Sequence, residues 1–298
     1  MEKNKYVIYV IIASLLWGTL NTAIKLGYAA YGISSAGDIF VFAGTRFLIC
    51  GMVMIIYSFI TDRKSLDVRG SVVSVLLSGG LAIVLSYGLQ YIGLMTTDSS
   101  KTGLLKQTGS LLYVCFSFMF FKDDKFSVKK LVGALIGFAG VVVLSLSEGT
   151  FKLGFGESLI ILASVSIVAA NIINKKAFCK VPPIAFTGIT QLFGGMVLMM
   201  VGRMIGGGNR IIVNPQIWLF IYICIASVVS YCLWYTATHK SVLSGMLITK
   251  FAEPFFAAVT GAIFLEENIL QLKYFLAFVL IVGGICLSSL SSKCDCKK

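Results

Sequence analysis

The amino-acid sequence predicts an all-α membrane protein: ten transmembrane helices arranged as two inverted five-helix repeats. Three observations lead there. Of 298 residues, 57% are hydrophobic and 13% charged, with a mean hydropathy of +0.91, a composition suited to a bilayer rather than to water. Apolar runs of about 20 residues recur along the whole chain. The second half matches the first in one ungapped register, and each half holds an odd number of runs.

The ten runs cover residues 6–26, 38–60, 71–94, 102–121, 129–147, 157–175, 184–204, 216–237, 242–265 and 271–290. Short clusters of charge, Gly, Pro and Ser separate them. Hydrocarbon offers no water to exposed backbone groups, so each run must satisfy its own hydrogen bonds as a helix. The first run follows "MEKNK" and leads through "KLGYAAYGISS" into the second without a small-residue cleavage site. It reads as a retained helix rather than a signal peptide.

The net charge of +12 is informative through its placement. With the N-terminus in the cytoplasm, sixteen Lys and Arg fall on cytoplasmic segments, against Lys25, Lys101, Lys152, Arg203, Arg210 and Lys273 on the other side. That bias places both termini in the cytoplasm of a cell membrane. It gives no reason to expect nucleic acid as a partner; the expected partners are the lipid bilayer and a small-molecule substrate, with the chain a monomer or a homodimer. Cys294 and Cys296 sit on a basic tail, read as a solvated anchor of positive charge, where a disulfide is not expected.

At an offset of 144 residues, "SYGLQY" (Ser86 to Tyr91) meets "SYCLWY" (Ser230 to Tyr235). The register continues through Ser100 and Ser244, Phe120 and Phe264, Lys129 and Lys273, Gly140 and Gly284, and the "SLS" that ends each half. Such self-similarity marks a repeat architecture, here residues 1–150 and 151–298 forming one transport domain. Five runs per half make the second repeat enter the membrane from the opposite side. Inverted repeats that exchange conformations are the geometric basis of alternating access, with substrate held at the repeat interface.

In that register Lys106 is the mate of Lys250. Thr102, Lys106, Ser110, Tyr113 and Ser117 recur every three or four residues and so share one helical face, which must turn toward other helices or a water-filled cavity. Lys106 is also close enough to the start of its run to snorkel. Lys250 lies deeper. Glu253, three residues on, is within pairing reach, and Pro254 lacks the N–H that would bond Lys250's own carbonyl, so a kink is expected there. A self-neutralising structural pair and a substrate site both fit. Glu253 is the sole acid well inside a run and is also the one group there able to carry a coupled proton.

Arg46 is the third intramembrane cation and has no acid within a turn of its own helix; Glu253, a backbone carbonyl or a substrate could partner it. At an offset of 150, Ser14, Asn21 and Lys25 match Ser164, Asn171 and Lys175. Asn21 and Asn171 are suited either to binding substrate or to fastening helices. Trp17, Tyr87, Tyr91, Tyr231, Trp234 and Tyr235 are the aromatic candidates for a cavity wall, with Tyr87 and Tyr231 set apart as repeat mates, although Trp and Tyr also anchor helices at membrane interfaces. The many glycines are read as sites of close helix approach.

Enzyme signatures are missing: no HExxH, no GxSxG, no phosphate-binding lysine loop and no Gly-rich dinucleotide turn. With one histidine, His239, the sequence suggests neither a metal site nor a cofactor.

"ASLLWGT" in the first run, Arg46 in the second, "LQYIGLMTTDSSKTGLL" between the third and fourth, and "ITKFAEPFFAAVTGAIFLEE" in the ninth, with Glu266 near its end, carry a resemblance that covers essentially the whole chain. The sequence resembles the drug/metabolite transporter superfamily, in its EamA-type branch of ten-helix carriers. It departs at "FFKDDKFS", where the fourth run ends in Lys122, Asp123 and Asp124 instead of a single acid, and at the Lys106 and Lys250 pair. The resemblance implies secondary transport, often export, of small metabolites such as amino acids by alternating access. The intramembrane charge of Arg46, Lys106 and Lys250 against Glu253 adds an expectation from the residues themselves: an electropositive cavity for a carboxylate- or phosphate-bearing metabolite. Export of lipophilic cations and a non-transporting membrane scaffold are the alternatives.

Overall fold

The structure, a computed structural model, describes residues 2–120, 128–147, 150–151, 153–208, 215–240, 250 and 252–289. Lys122, Asp123, Asp124, residues 242–249 of the ninth run, and the tail with Cys294 and Cys296 lie outside the described residues.

The helices in chain order are α1 (Glu2–Tyr31), α2 (Ala36–Thr61), α3 (Val72–Ser78), α4 (Gly88–Thr96), α5 (Ser99–Leu105), α6 (Gln107–Phe120), α7 (Val128–Ser145), α8 (Phe155–Ala177), α9 (Pro183–Met204), α10 (Ile217–Lys240), α11 (Ala252–Leu265) and α12 (Leu272–Ser289). A π-helical stretch, Gly79–Tyr87, joins α3 to α4 without a break. Two residue pairs, β1 (Leu146–Ser147) and β2 (Thr150–Phe151), form a small antiparallel ladder midway along the chain. Among the described residues, six helical stretches are long and apolar enough to cross a membrane: Tyr6–Tyr31, Ala36–Thr61, Arg63–Thr96, Phe155–Ala177, Pro183–Met204 and Ile217–Ala237. Shorter apolar helices, Ala252–Leu265 among them, complete the bundle.

Local chemistry sets the ends. Ser35 caps α2, its Oγ accepting from the Asp38 N–H at 3.1 Å, and the Asp38 carboxylate accepts from the Gly208 N–H at 2.8 Å. Pro183 starts α9, where its missing N–H costs nothing. Glu157 in the first turn of α8 and Lys175 and Lys176 in its last oppose the helix dipole.

Both repeat-mate lysines stand at a helix boundary, Lys106 between α5 and α6 and Lys250 just before α11. Lys106 is the single residue between α5 and α6, so the run read as one helix from Thr102 is two helices meeting at that lysine. Lys250 precedes α11, and its carbonyl accepts from the Glu253 N–H at 2.9 Å. Pro254 cannot donate to it, and the tighter bond from Glu253 takes that place.

Two glycine seams hold helix pairs backbone to backbone. On α2, Gly37, Gly44 and Gly51 recur every seven residues, as do Gly188, Gly195 and Gly202 on α9. A Cβ added at Gly44 would lie 2.6 Å from the Met199 nitrogen, and one at Gly195 would lie 2.8 Å from the Leu48 nitrogen. Only glycine allows that approach. The α7–α12 pair is built alike, with Gly140 against Ile281 and Ala277. Residues of α1, the π stretch, α4, α6, α8 and α10, with Lys106 and Lys250, enclose the polar centre.

Candidate functional site

Glu253 is the hub of the centre. Its side chain is fully buried, and Oε1 accepts a hydrogen bond from the Lys106 ammonium at 2.7 Å. The Lys250 ammonium stands 3.6 Å from Oε2, within ion-pairing reach but too far for a hydrogen bond. One carboxylate therefore serves two cations that come from matching points of the two halves, and it holds the one on the other half more tightly.

Aromatic faces supply part of what Lys250 lacks in hydrogen bonds. Its ammonium lies 4.7 Å from the Trp17 ring centre and 5.2 Å from that of Trp234, a geometry in which ring quadrupoles attract the cation. The two indoles meet edge-on at 5.6 Å, and Trp17 meets Tyr231 at 5.7 Å. Tyr231 stacks on Tyr235 and donates a short hydrogen bond to the hydroxyl of Tyr87, its own repeat mate. The Trp17 Nε1–H is buried with no hydrogen-bond partner among the described residues, which leaves a donor in the wall beside Lys250.

These groups surround a cavity of about 50 Å³, lined by Trp17, Tyr87, Lys106, Asn171, Tyr231 and Lys250 together with Ser86, Gln90, Ser110 and Tyr113. A water needs roughly 10–15 Å³ in this measure, so the space suits a few waters, and a metabolite requires the aromatic walls to part. Six of the eight expected binding residues thus converge.

Two do not line it. Asn21 is buried behind Gln90, accepting from its Nε2 at 3.3 Å, so it positions a cavity residue rather than facing the cavity. Arg46 is 1% exposed, donates from Nε to Ser227 Oγ at 2.8 Å and from Nη1 to the Tyr91 hydroxyl. Its guanidinium lies 4.8 Å from the Phe47 ring centre and 5.8 Å from those of Tyr87 and Tyr91. It is a cation behind the tyrosine wall, and no ion pair joins it to Glu253 among the described residues. Buried helical arginines are satisfied by whatever acceptors the neighbouring helices bring, which a single helix's sequence does not reveal.

Sequence reasoning passed over Gln90 and Ser86. They lie one turn apart and on either side of Tyr87 in "SYGLQY", so the spacing that marked Tyr87 could have marked them. It also favoured Glu266 as the acid ending the ninth run. Glu266 instead takes a left-handed backbone, φ 54°, and is exposed, while the next residue, Glu267, turns back into the protein.

Fold and site together define a helical membrane protein with an enclosed, cationic and aromatic centre. The EamA-like transporter family model matches it twice, over residues 4–146 and 154–290. The chain belongs to the EamA-like transporter family and is a multi-pass membrane transporter. It is similar to the uncharacterized transporter YvbV of Bacillus subtilis (strain 168), 26% identical over 302 residues that span 98% of this chain and 94% of the relative. An uncharacterized transporter of Archaeoglobus fulgidus is 24% identical over 267 residues, 86% of this chain and 88% of the relative. A crystal structure of a protein with 20% identity superimposes with a TM-score of 0.69 over 97% of both chains and shares the fold.

Proposed function

We propose that this transporter is a secondary carrier of small carboxylate- or phosphate-bearing metabolites, amino acids foremost, working by alternating access across the cell membrane. The observation that carries the reading is the charge of the cavity. Two ammonium groups, Lys106 and Lys250, face one carboxylate, Glu253, and the surplus positive charge inside an enclosed cavity favours an incoming anion.

Glu253 then occupies the place the substrate takes. An anion displaces it from Lys106, with Lys250, the Trp17 N–H and Asn171 as further contacts, and the displaced carboxylate is the group to take up a coupled proton. Export is the direction that the family resemblance implies, and the charge bias supports cytoplasmic termini.

The geometry proposed for alternating access is the ten-helix inverted repeat, with residues 1–150 and 151–298 as its units. Three observations support it: the family model matches each half, α2 packs on α9 and α7 on α12 as mates would, and Tyr87 bonds Tyr231. The chain would act as a monomer or homodimer. Export of lipophilic cations is disfavoured by the same surplus charge.

The test is uptake of radiolabelled amino acids and phosphate esters into proteoliposomes. Lys106→Gln and Lys250→Gln are expected to abolish transport while folding normally. Unchanged transport in both would refute the cationic site.

A further inference from the structure

At the face opposite the N-terminus, ionic contacts cross between the two halves above the cavity. Glu267 follows α11 and reaches back to the start of α5. Its carboxylate accepts from the Ser99 N–H at 2.6 Å, from the Ser100 N–H at 2.9 Å and from Ser100 Oγ at 2.7 Å. Lys25 of α1 stands 3.7 Å away. Beside this cluster Lys101 donates to Glu157 of α8 at 2.7 Å. Every one of these contacts joins a residue of the first half to a residue of the second.

Their depth matters. Ser100 precedes Lys106 by six residues and Lys25 follows Trp17 by eight, so by helical rise the cluster lies roughly 9–12 Å from the cavity groups, toward that face. The Glu267 carboxylate is held against a wall: a Cβ on Gly261 would come within 2.5 Å of its Oε2. Free N–H groups at a helix start take up a carboxylate readily, and bonds to an ionised acceptor are the strong ones.

We propose that Glu267 is the latch of the mouth on this face: its contacts with Ser99, Ser100 and Lys25, braced by the Lys101–Glu157 pair, hold the cavity shut there and must break for that mouth to open. The inference deepens the carrier reading and rests on it for its meaning, but the latch can be read without any substrate. Glu267→Gln removes the charge and leaves one acceptor oxygen where two worked. Gly261→Ala keeps the charge and pushes the carboxylate out of its place.

The reporter is Ser110→Cys in the cavity wall, labelled by a membrane-impermeant maleimide. The protein is set in proteoliposomes with the face opposite the N-terminus outward, and the signal of the protein without Ser110→Cys is subtracted. Loss of one charge-assisted bond shifts an equilibrium by about tenfold or more, so Glu267→Gln and Gly261→Ala should each speed labelling from this face by about that factor. Labelling at the same rate with and without the latch substitutions would overturn the proposal, whatever the transport assay gives. Fast labelling in a protein that binds no anion would uphold the latch and refute only the substrate reading.

Discussion

The Glu253 carboxylate lies 2.7 Å from the Lys106 ammonium and 3.6 Å from that of Lys250. The two lysines are repeat mates, yet the acid sits on the chain of only one and bonds the other. Two sites equivalent by sequence are therefore inequivalent in this conformation. The position that matches Glu253 in the first half is Gly109, so the inequivalence is built into the sequence.

Glu253→Gln leaves two half-buried cations without a counter-charge. Removing one partner of a buried pair costs about 3–5 kcal/mol, and the partial exposure of both lysines places the loss at the lower end. The empty protein should melt earlier, and an anionic ligand should restore stability by more than it adds to the unaltered protein. Thermal denaturation with and without the ligand measures both effects.

Arg46 and the tyrosines separate by charge. Tyr91→Phe takes a partner from a buried guanidinium, a charged bond worth about 1.5–3 kcal/mol. Tyr87→Phe removes only the neutral bond from Tyr231, about 0.5–1.5 kcal/mol. The expected order of melting temperatures is unaltered protein, then Tyr87→Phe, then Tyr91→Phe.

Tryptophan emission reports on Lys250 directly. The chain has three tryptophans; Trp17 and Trp234 flank Lys250 while Trp218 is 64% exposed. In a Trp218→Phe protein all emission comes from the cavity wall, and binding of an anion should change its intensity or wavelength. Lys250→Gln in that background should remove the response.

The glycine seam gives a stability contrast. Gly44→Val places atoms against the backbone of α9, where a Cβ alone would approach to 2.6 Å, and overpacking of this kind costs about 1–3 kcal/mol or more. Gly80→Ala meets nothing within 4 Å and should be neutral. Yield of monodisperse protein after mild heating distinguishes them.

How much of this was legible in the sequence depends on distance along the chain. Lys250 and Glu253 are three residues apart, and their pairing follows from helical spacing. The mate relation of Lys106 and Lys250 follows from the repeat register. The Lys106–Glu253 bond spans 147 residues, and nothing local says which lysine the acid prefers. Arg46 finds Tyr91 45 residues on and Ser227 181 residues on, so its acceptors depend on which helices adjoin α2. Glu267 rather than Glu266 turns inward because one residue adopts a left-handed backbone, a choice that residue type alone does not encode. Six of the apolar runs reappear among the described residues as helical stretches long enough to cross a membrane, because composition and length suffice to mark such a helix.

Selection for negative charge by the cavity is tested most directly with a matched ligand set. Isothermal titration of the purified protein would compare a free amino-acid carboxylate, its methyl ester and a lipophilic cation of similar size. The expected result is binding of the carboxylate alone, lost in Lys106→Gln and Lys250→Gln and tightened in Glu253→Gln. Equal binding of ester and acid, or binding of the cation with undiminished affinity in the lysine variants, would contradict it.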